Sequence, residues 1–461
     1  MQTLSTDLVA ELTALLGVSC IRTGRDIEPR HLQDFAVASP SDELPAAVVY
    51  PRNTLQVAAI LKLCNGMRVP VVPQGGLTGL AGGATPVCGC VLLSLERMRR
   101  IEEIDADAAT ITVQAGVPLQ VIQEAADKVG LFFPLDLGAR GTCQIGGNVS
   151  TNAGGYHVLR FGMTRDLLLG LEVVLADGTV VSALNKMVKN NAGYDIKQLF
   201  VGSEGTLGVI TRAVLKLSAK QHAVCTALCG VRDFEQVLSL LRLLRSQLGG
   251  AMSAFEMMCR EHYAFGCAGR SAPLQATHGA YVLVETLGHD SAEEIVRLER
   301  VIASALEGGI VDDVVIAQSR GQSQNLWAIR EGLARSSAPY VSFDVSIPIG
   351  KMGTFMIESK ARLAARWPAA KIFYYGHVAD ANLHVVIQLE ADPMPIQEMD
   401  EVLYGAVRDW QGSISAEHGI GLLKREFLPY SCGPEAVNLM KRVKQALDPN
   451  NILNPGKIFR V

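Results

Sequence analysis

Residues 134–165 limit this chain's fold more than any other segment. They are rich in Gly, Asn, Ser and Thr, poor in long apolar runs, and carry no Asp, Glu, Lys or Arg between Arg140 and Arg160. A solvated linker of that length carries charges, and a loop that long inside a compact domain is usually functional. The fold is therefore expected to build around this stretch.

Its flanks supply the elements. From about 46 to 115, AAVVY precedes Pro51, TLQVAAILKLCNGM has helical spacing, VPVVP is a short buried strand, and CVLLSL and TITVQAG follow. That alternation predicts one mixed sheet with crossover helices. Residues 117–130 read as a further helix starting near Pro118, a residue favoured in a first turn. Strands resume with LGLEVVLADGTVVSA, whose Asp177-Gly178 marks a hairpin. Beyond Ser218 the character shifts. Residues 233–248 and 291–307 have amphipathic helical spacing among β-like runs such as HGAYVLVETL and IVDDVVIAQ, which predicts a second α+β domain. The tail, CGPEAVNLMKRVKQALDPNNILNPGKIF, reads as a helix stopped at Asp448-Pro449 and followed by a turn-rich coda.

With 461 residues, two or more domains are expected. The net charge of −4 excludes the basic footprint of a nucleic-acid binder. The ten cysteines show no C-x-x-C and read as thiols in a reducing compartment. The first twenty residues carry Asp7 and Glu11 without a basic run, so they read as an amphipathic helix and not a leader. No run of 18 apolar residues occurs, so no membrane span is expected, and the expected location is cytoplasmic.

Four constellations carry chemistry. Pro73-Gln74-Gly75-Gly76-Leu77-Thr78-Gly79-Leu80 follows a strand directly, and glycines there let the backbone wrap phosphate oxygens. It is neither a Rossmann fingerprint nor a P-loop, and a tight strand-end turn is the plainer reading of its glycine pairs. Gly146-Gly147-Asn148-Val149-Ser150-Thr151-Asn152-Ala153-Gly154-Gly155 offers amide and hydroxyl groups to a flat polar ring. Gly202-Ser203-Glu204-Gly205-Thr206-Leu207-Gly208-Val209-Ile210 could set backbone groups on a nucleotide. The sharpest is His377 and His384 flanking a turn at Asp380-Ala381-Asn382, with Glu417-His418 downstream. Two imidazoles and a carboxylate leave coordination positions open, as a catalytic metal requires. Arg330 could bind an acid substrate through its guanidinium fork, though a salt bridge on a helix face explains it as well.

Together, PQGGLTGL, GGNVSTNAGG, GSEGTLGVIT, GHVADANLH, SAEHGIG and DPNNILNPGK resemble, in order and spacing, the FAD-linked oxidases of the vanillyl-alcohol-oxidase type. The resemblance lies in the branch of D-lactate and D-2-hydroxyglutarate dehydrogenases and the flavin subunit of glycolate oxidase. It implies an α+β fold with a two-subdomain, PCMH-type FAD-binding domain at 41–218, preceded by a helical segment at 1–40. An α+β cap domain with an antiparallel sheet at 219–430 would follow, and residues 431–461 would return to the FAD domain.

The resemblance also assigns residues. The FAD pyrophosphate would lie on Gln74 to Thr78, with Pro73, Gly79 and Leu80 beside it. Gly146, Gly147, Asn148, Ser150, Thr151, Asn152, Ala153 and Gly154 would line the flavin. Glu204, Gly205, Gly208 and Ile210 would touch the nucleotide half, and Asn454 would come from the coda. Covalently linked relatives carry a His where this chain has Leu77, so the FAD would be non-covalent. His377, His384 and Glu417 would hold a divalent metal, zinc by ligand type, with His418 as base and Arg330 and Asn382 on the substrate. The hydroxyglutarate branch usually has Asn at position 77, Gly at 379 and 381, and a Thr and a Lys for a second carboxylate. Here those positions are Leu77, Ala379, Ala381, Ala334 and Ser342.

The implied reaction oxidises a D-2-hydroxy acid of the D-2-hydroxyglutarate, D-lactate or D-malate type to the 2-oxo acid, with hydride passing to flavin N5. An electron-transfer flavoprotein, quinone or cytochrome would accept the electrons, and a homodimer is compatible with the pattern. Two other readings stand beside this one. One is a glycolate-oxidase flavin subunit or a metal-independent oxidase of another alcohol. The other is a flavin-binding regulatory or electron-transfer subunit without its own substrate.

Overall fold

The computed structural model describes residues 2–37 and 44–461. Two compact units emerge: Met1–Gly155 with Gly162–Ala219 and Glu417–Val461, and Tyr156–Phe161 with Lys220–Ala416. The segment 417–430 thus belongs to the first unit, earlier than the expected return at 431. The short stretch 156–161 belongs to the second. The expected boundary near 40 lies outside the described residues.

In the first unit a four-stranded sheet runs in the order Ile21–Arg22, Ala47–Val49, Val91–Ser94, Val71–Gln74. Its last three strands are parallel. The helix Thr54–Met67 makes the crossover between the strands 47–49 and 71–74 and buries Val57, Ile60, Leu61 and Cys64 along one face. Its first turn is capped by Asn53, whose side chain accepts from the Gln56 N–H.

The run TITVQAG does not join this sheet. Ile101–Asp105 and Thr110–Gln114 form a hairpin at one edge of a separate five-stranded antiparallel sheet, completed by Val209–Lys216, Leu168–Val174 and Val180–Ala183. The expected single mixed sheet is therefore two. A connection of four residues closes only an antiparallel pair, whereas a parallel neighbour needs a crossover. The Asp177-Gly178 turn joins its pair as expected, with Gly178 at φ 86°.

The coda also builds into this unit. The Val71 N–H donates to Ile452 O at 2.7 Å, and the Asn454 N–H donates to Val71 O at 2.8 Å. The tail helix spans Pro434–Leu447 and stops at Asp448, as expected.

The second unit is a seven-stranded, wholly antiparallel sheet. Its order is Asp313–Ile316, Ala223–Val231, Ala280–Gly288, Met252–Cys259, Lys371–His377, Asn382–Gln388, Tyr340–Ser346. Its central strands are buried almost residue for residue, so both faces are covered and the alternation of a half-wet sheet is missing. One face packs Leu228, Met258, Tyr281 and Leu283 against Tyr263 of the helix Arg260–Cys267 and Leu326 and Ile329 of the helix Arg320–Arg330.

Candidate active site

In the first unit, the loops read as cofactor-binding converge on a cavity of about 410 Å³. Every residue expected to hold the cofactor lines it except Asn152. That residue sits at φ 49°, and its side-chain oxygen accepts from the Arg165 N–H at 3.0 Å. The uncharged stretch is not all loop. Ile145–Ser150 is a short helix, and its Gly146 N–H donates to Ala115 O at 2.8 Å.

Close backbone approach explains one glycine directly. A Cβ on Gly76 would stand 2.2 Å from Thr142 O, so the two glycine-rich loops touch where no side chain fits. The side chain of Gln74 is spent on the protein. Its Nε2 donates to His31 O at 2.9 Å and Ala84 O at 3.0 Å, and its Oε1 lies 2.7 Å from His31 Nδ1. Burial lowers the His31 pKa, so the neutral ring links Gln74 to the Tyr50 hydroxyl. Gln74 therefore holds the loop, and a ligand meets the loop's backbone and the Thr78 side chain.

The cavity fits a large, hydrogen-bonding cofactor of the FAD kind. Gln144 Oε1, Asn148 Oδ1 and Asn454 Oδ1 are buried acceptors without a partner among the described residues, and all three residues line the cavity. A native fold leaves such atoms bare only where another group supplies the donor. Gln144 was not foreseen. Its signal was its place directly before Ile145-Gly146-Gly147. Glu417 and His418 line the same cavity, with His418 Nε2 4.0 Å from Glu417 Oε2. Glu204 is also in the wall, its carboxylate accepting from the Ile420 and Gly421 N–H groups at 2.8 Å each. Burial raises its pKa, and those two donors oppose the rise.

The second unit carries the remaining expected residues. His377 ends the strand 371–377, Ala381 takes the left-handed turn at φ 71°, and His384 lies in the returning strand. The hairpin brings the two rings to 5.4 Å between centroids, both buried. Each Nδ1 faces a buried carboxylate: Glu256 Oε1 for His377, and Asp344 Oδ1, at 3.6 Å, for His384. Asn382 is buried with its Oδ1 unpartnered among the described residues.

Arg330 is buried, its Nε donating to Glu256 Oε2 at 2.7 Å, with one terminal nitrogen 3.4 Å from His377 Nε2. The salt bridge weighed from sequence exists, but with an interior strand residue and not along a helix face. Tyr375 lies under the guanidinium at 4.9 Å. Burial alone would raise the Glu256 carboxyl, but His377 and Arg330 outweigh it and hold it at about 2. Asp380 moves the other way, pushed by burial to about 6 against the pull of His377. Sequence reading missed Glu256. A single acid inside the apolar run MSAFEMMC was the available signal, because a buried carboxylate needs partners.

The sequence matches the family described as FAD linked oxidases, C-terminal domain, over residues 220–458, and the FAD binding domain over 45–184. The chain belongs to the FAD-linked oxidase family. As such it is an FAD-dependent oxidoreductase of α+β, PCMH-type fold. This FAD-linked oxidase is 38% identical to a probable mitochondrial D-2-hydroxyglutarate dehydrogenase of Oryza sativa subsp. indica, over 99% of this chain and 82% of that protein. Identity is also 38% to the D-2-hydroxyglutarate dehydrogenase of Xanthomonas citri pv. viticola, over 90% and 89%. Among solved structures, 4-ethylphenol oxidase from Gulosibacter chungangensis superposes with a TM-score of 0.77 at 18% identity, covering 100% of this chain and 98% of that one. p-Cresol methylhydroxylase gives 0.78 at 17%, with the same coverage. These two show the fold alone. Among the described residues no helix is long and apolar enough to cross a membrane.

Proposed function

We propose that this FAD-linked oxidase oxidises the C2 hydroxyl of a D-2-hydroxy acid, of the D-2-hydroxyglutarate, D-lactate or D-malate type, to the 2-oxo acid. The observation that carries the reading is the pair of buried imidazoles, His377 and His384, each with Nδ1 turned to a buried carboxylate. Carboxylates beside Nδ1 orient imidazoles that ligate a metal through Nε2, and they support that role for this pair. The sequence relatives named as D-2-hydroxyglutarate dehydrogenases support the substrate class.

In this reading His377, His384 and Glu417 would hold one divalent metal, zinc by ligand type, which would supply a Lewis acid for the substrate hydroxyl. The cavity of the first unit holds FAD, which supplies a two-electron acceptor for the C2 hydride. Leu77 has no nucleophilic atom, so the FAD is bound without a covalent link. His418 takes the hydroxyl proton, a task suited to imidazole near neutral pH. Arg330 would bind the substrate carboxylate through its terminal nitrogens, one of which stands 3.4 Å from His377 Nε2, and Asn382 would hydrogen-bond the substrate or the neighbouring flavin edge. One proton to His418 and one hydride to the cofactor balance the loss of two hydrogens from the acid. An electron-transfer flavoprotein, a quinone or a cytochrome would be the final acceptor of the two electrons.

Anaerobic bleaching of the yellow protein by a panel of D- and L-2-hydroxy acids, with and without chelator, tests this. D-acids should bleach it, and chelation should abolish bleaching while the colour stays. Bleaching by rigorously metal-free protein would remove the metal from the reading. Bleaching by none of the acids would remove the reaction.

A further inference from the structure

Three glycine-rich segments and the coda meet at Glu204. Its N–H donates to Ser150 O at 2.8 Å, and its C=O accepts from Asn454 Nδ2 at 2.8 Å. Its two carboxylate oxygens take the Ile420 and Gly421 N–H groups, one each, at 2.8 Å. The backbone stands in the left-handed region at φ 51°, which a residue bearing a Cβ adopts only at a cost. Gly419, directly after His418, sits at φ 78°, and a Cβ there would stand 2.8 Å from Glu204 Oε1. On the far side, the Leu422 N–H donates to Ala81 O at 2.8 Å, so the segment is gripped at both ends.

We propose that Glu204 is a positioning residue for His418, its carboxylate setting where the strand of chain 417–421 stands in the cavity wall. This rests on the reading of His418 as the base. Each carboxylate oxygen takes one protein N–H, so half of this side chain's acceptor capacity serves the chain itself. The site calls for a carboxylate: two converging N–H donors need two acceptor oxygens, and a glutamine would aim its NH2 at one of them. Without that grip, residues 419–421 lose their anchor, and His418 loses the fixed backbone from which its ring projects.

Two substitutions break the same contact from opposite sides: Glu204→Gln, and Gly419→Ala, which pushes the segment off the carboxylate. Four quantities are measured on the full-length holoenzyme. They are FAD content, amide hydrogen exchange of residues 419–423, anaerobic flavin reduction by the best 2-hydroxy acid, and reoxidation by dichlorophenolindophenol. Both variants should keep FAD and exchange the Ile420 and Gly421 amides about ten-fold faster or more, given the strength of hydrogen bonds to a charged acceptor. Reduction should slow by about 10–100-fold, the cost of a small misplacement of a reacting group, while reoxidation stays unchanged. Glu204→Asp, which keeps both oxygens, should fall between wild type and Glu204→Gln.

Two results would overturn the proposal: unchanged amide exchange, or loss of FAD in proportion to activity with the remaining holoenzyme reduced at the wild-type rate. If the wild type is reduced by none of the acids, the proposed reaction falls. Exchange then decides alone, with acceleration in both variants upholding the anchor and equal exchange overturning it.

Discussion

At the scale of single residues, the first unit separates groups that serve a ligand from groups that serve the loops. Gln74 and Asn152 both looked like ligand contacts, yet their side chains bond to His31 and Arg165. Spacing along the chain could not reveal this, because the competing partner lies 43 residues away in one case and 13 in the other. His418 is the residue on which the chemistry turns. His418→Ala should keep FAD and metal near full occupancy and slow flavin reduction by about 10²–10⁴-fold, the usual cost of losing a general base. Stopped-flow absorbance should find reoxidation unaltered. Loss of metal in this variant, measured first, would make His418 a ligand, and a wild-type reduction rate would give the proton to another group.

At the scale of elements, two helices of the second unit were readable from their amphipathic spacing, and their ends are chemically marked. Asp233 caps Phe234–Leu248, which stops at Gly249, and Asp290 caps Ser291–Glu307, which stops at Gly308. The Asp290 side chain accepts from the Ala292 N–H at 2.8 Å and the Glu293 N–H at 3.0 Å. Asp290→Ala should therefore lower stability by about 1 kcal/mol, seen as a lower Tm, with turnover unchanged. An equal Tm would mean that water replaces the cap at no cost. The helix Ile145–Ser150 was not readable. Two glycines in six residues argue against a helix, and burial of Ile145, Gly146, Asn148 and Val149 overrides that preference.

At the scale of the molecule, the coda is part of the first unit's interior. Lys444 donates to Thr206 O at 2.9 Å and Leu453 O at 2.7 Å while paired with Asp448, and Lys457 donates to Thr85 O at 2.7 Å from 372 residues away. Burial depresses the Lys457 pKa to about 8 from an ordinary 10.5. A lysine whose folded pKa is depressed costs stability in full below the folded value, because the fold must bury a charge that the unfolded chain solvates. The cost fades as pH rises from about 8 to 10.5, where the unfolded chain still binds the proton and the folded one does not. Relative to Lys457→Met, which has no such proton, wild type should gain up to about 3 kcal/mol across that window. Denaturant titrations of both proteins at pH 7.5 and pH 10 measure it. A difference that does not change with pH would mean that Lys457 keeps its proton in the fold.

The chain's own pattern determined the family, the class of cofactor, the capped helices and the His377-turn-His384 hairpin. Each of these is written in residues close together in sequence or in motifs whose order is itself the signal. Tertiary structure alone decided which polar side chains remain available. Glu256 became the partner of Arg330 and His377 only because strand pairing sets Glu256 opposite His377. Glu204 met Ile420 and Gly421 only across 216 and 217 residues of chain. The physical reason is the same in both cases. A buried polar group must find a partner, and which partner it finds depends on packing between distant segments, which local periodicity does not encode.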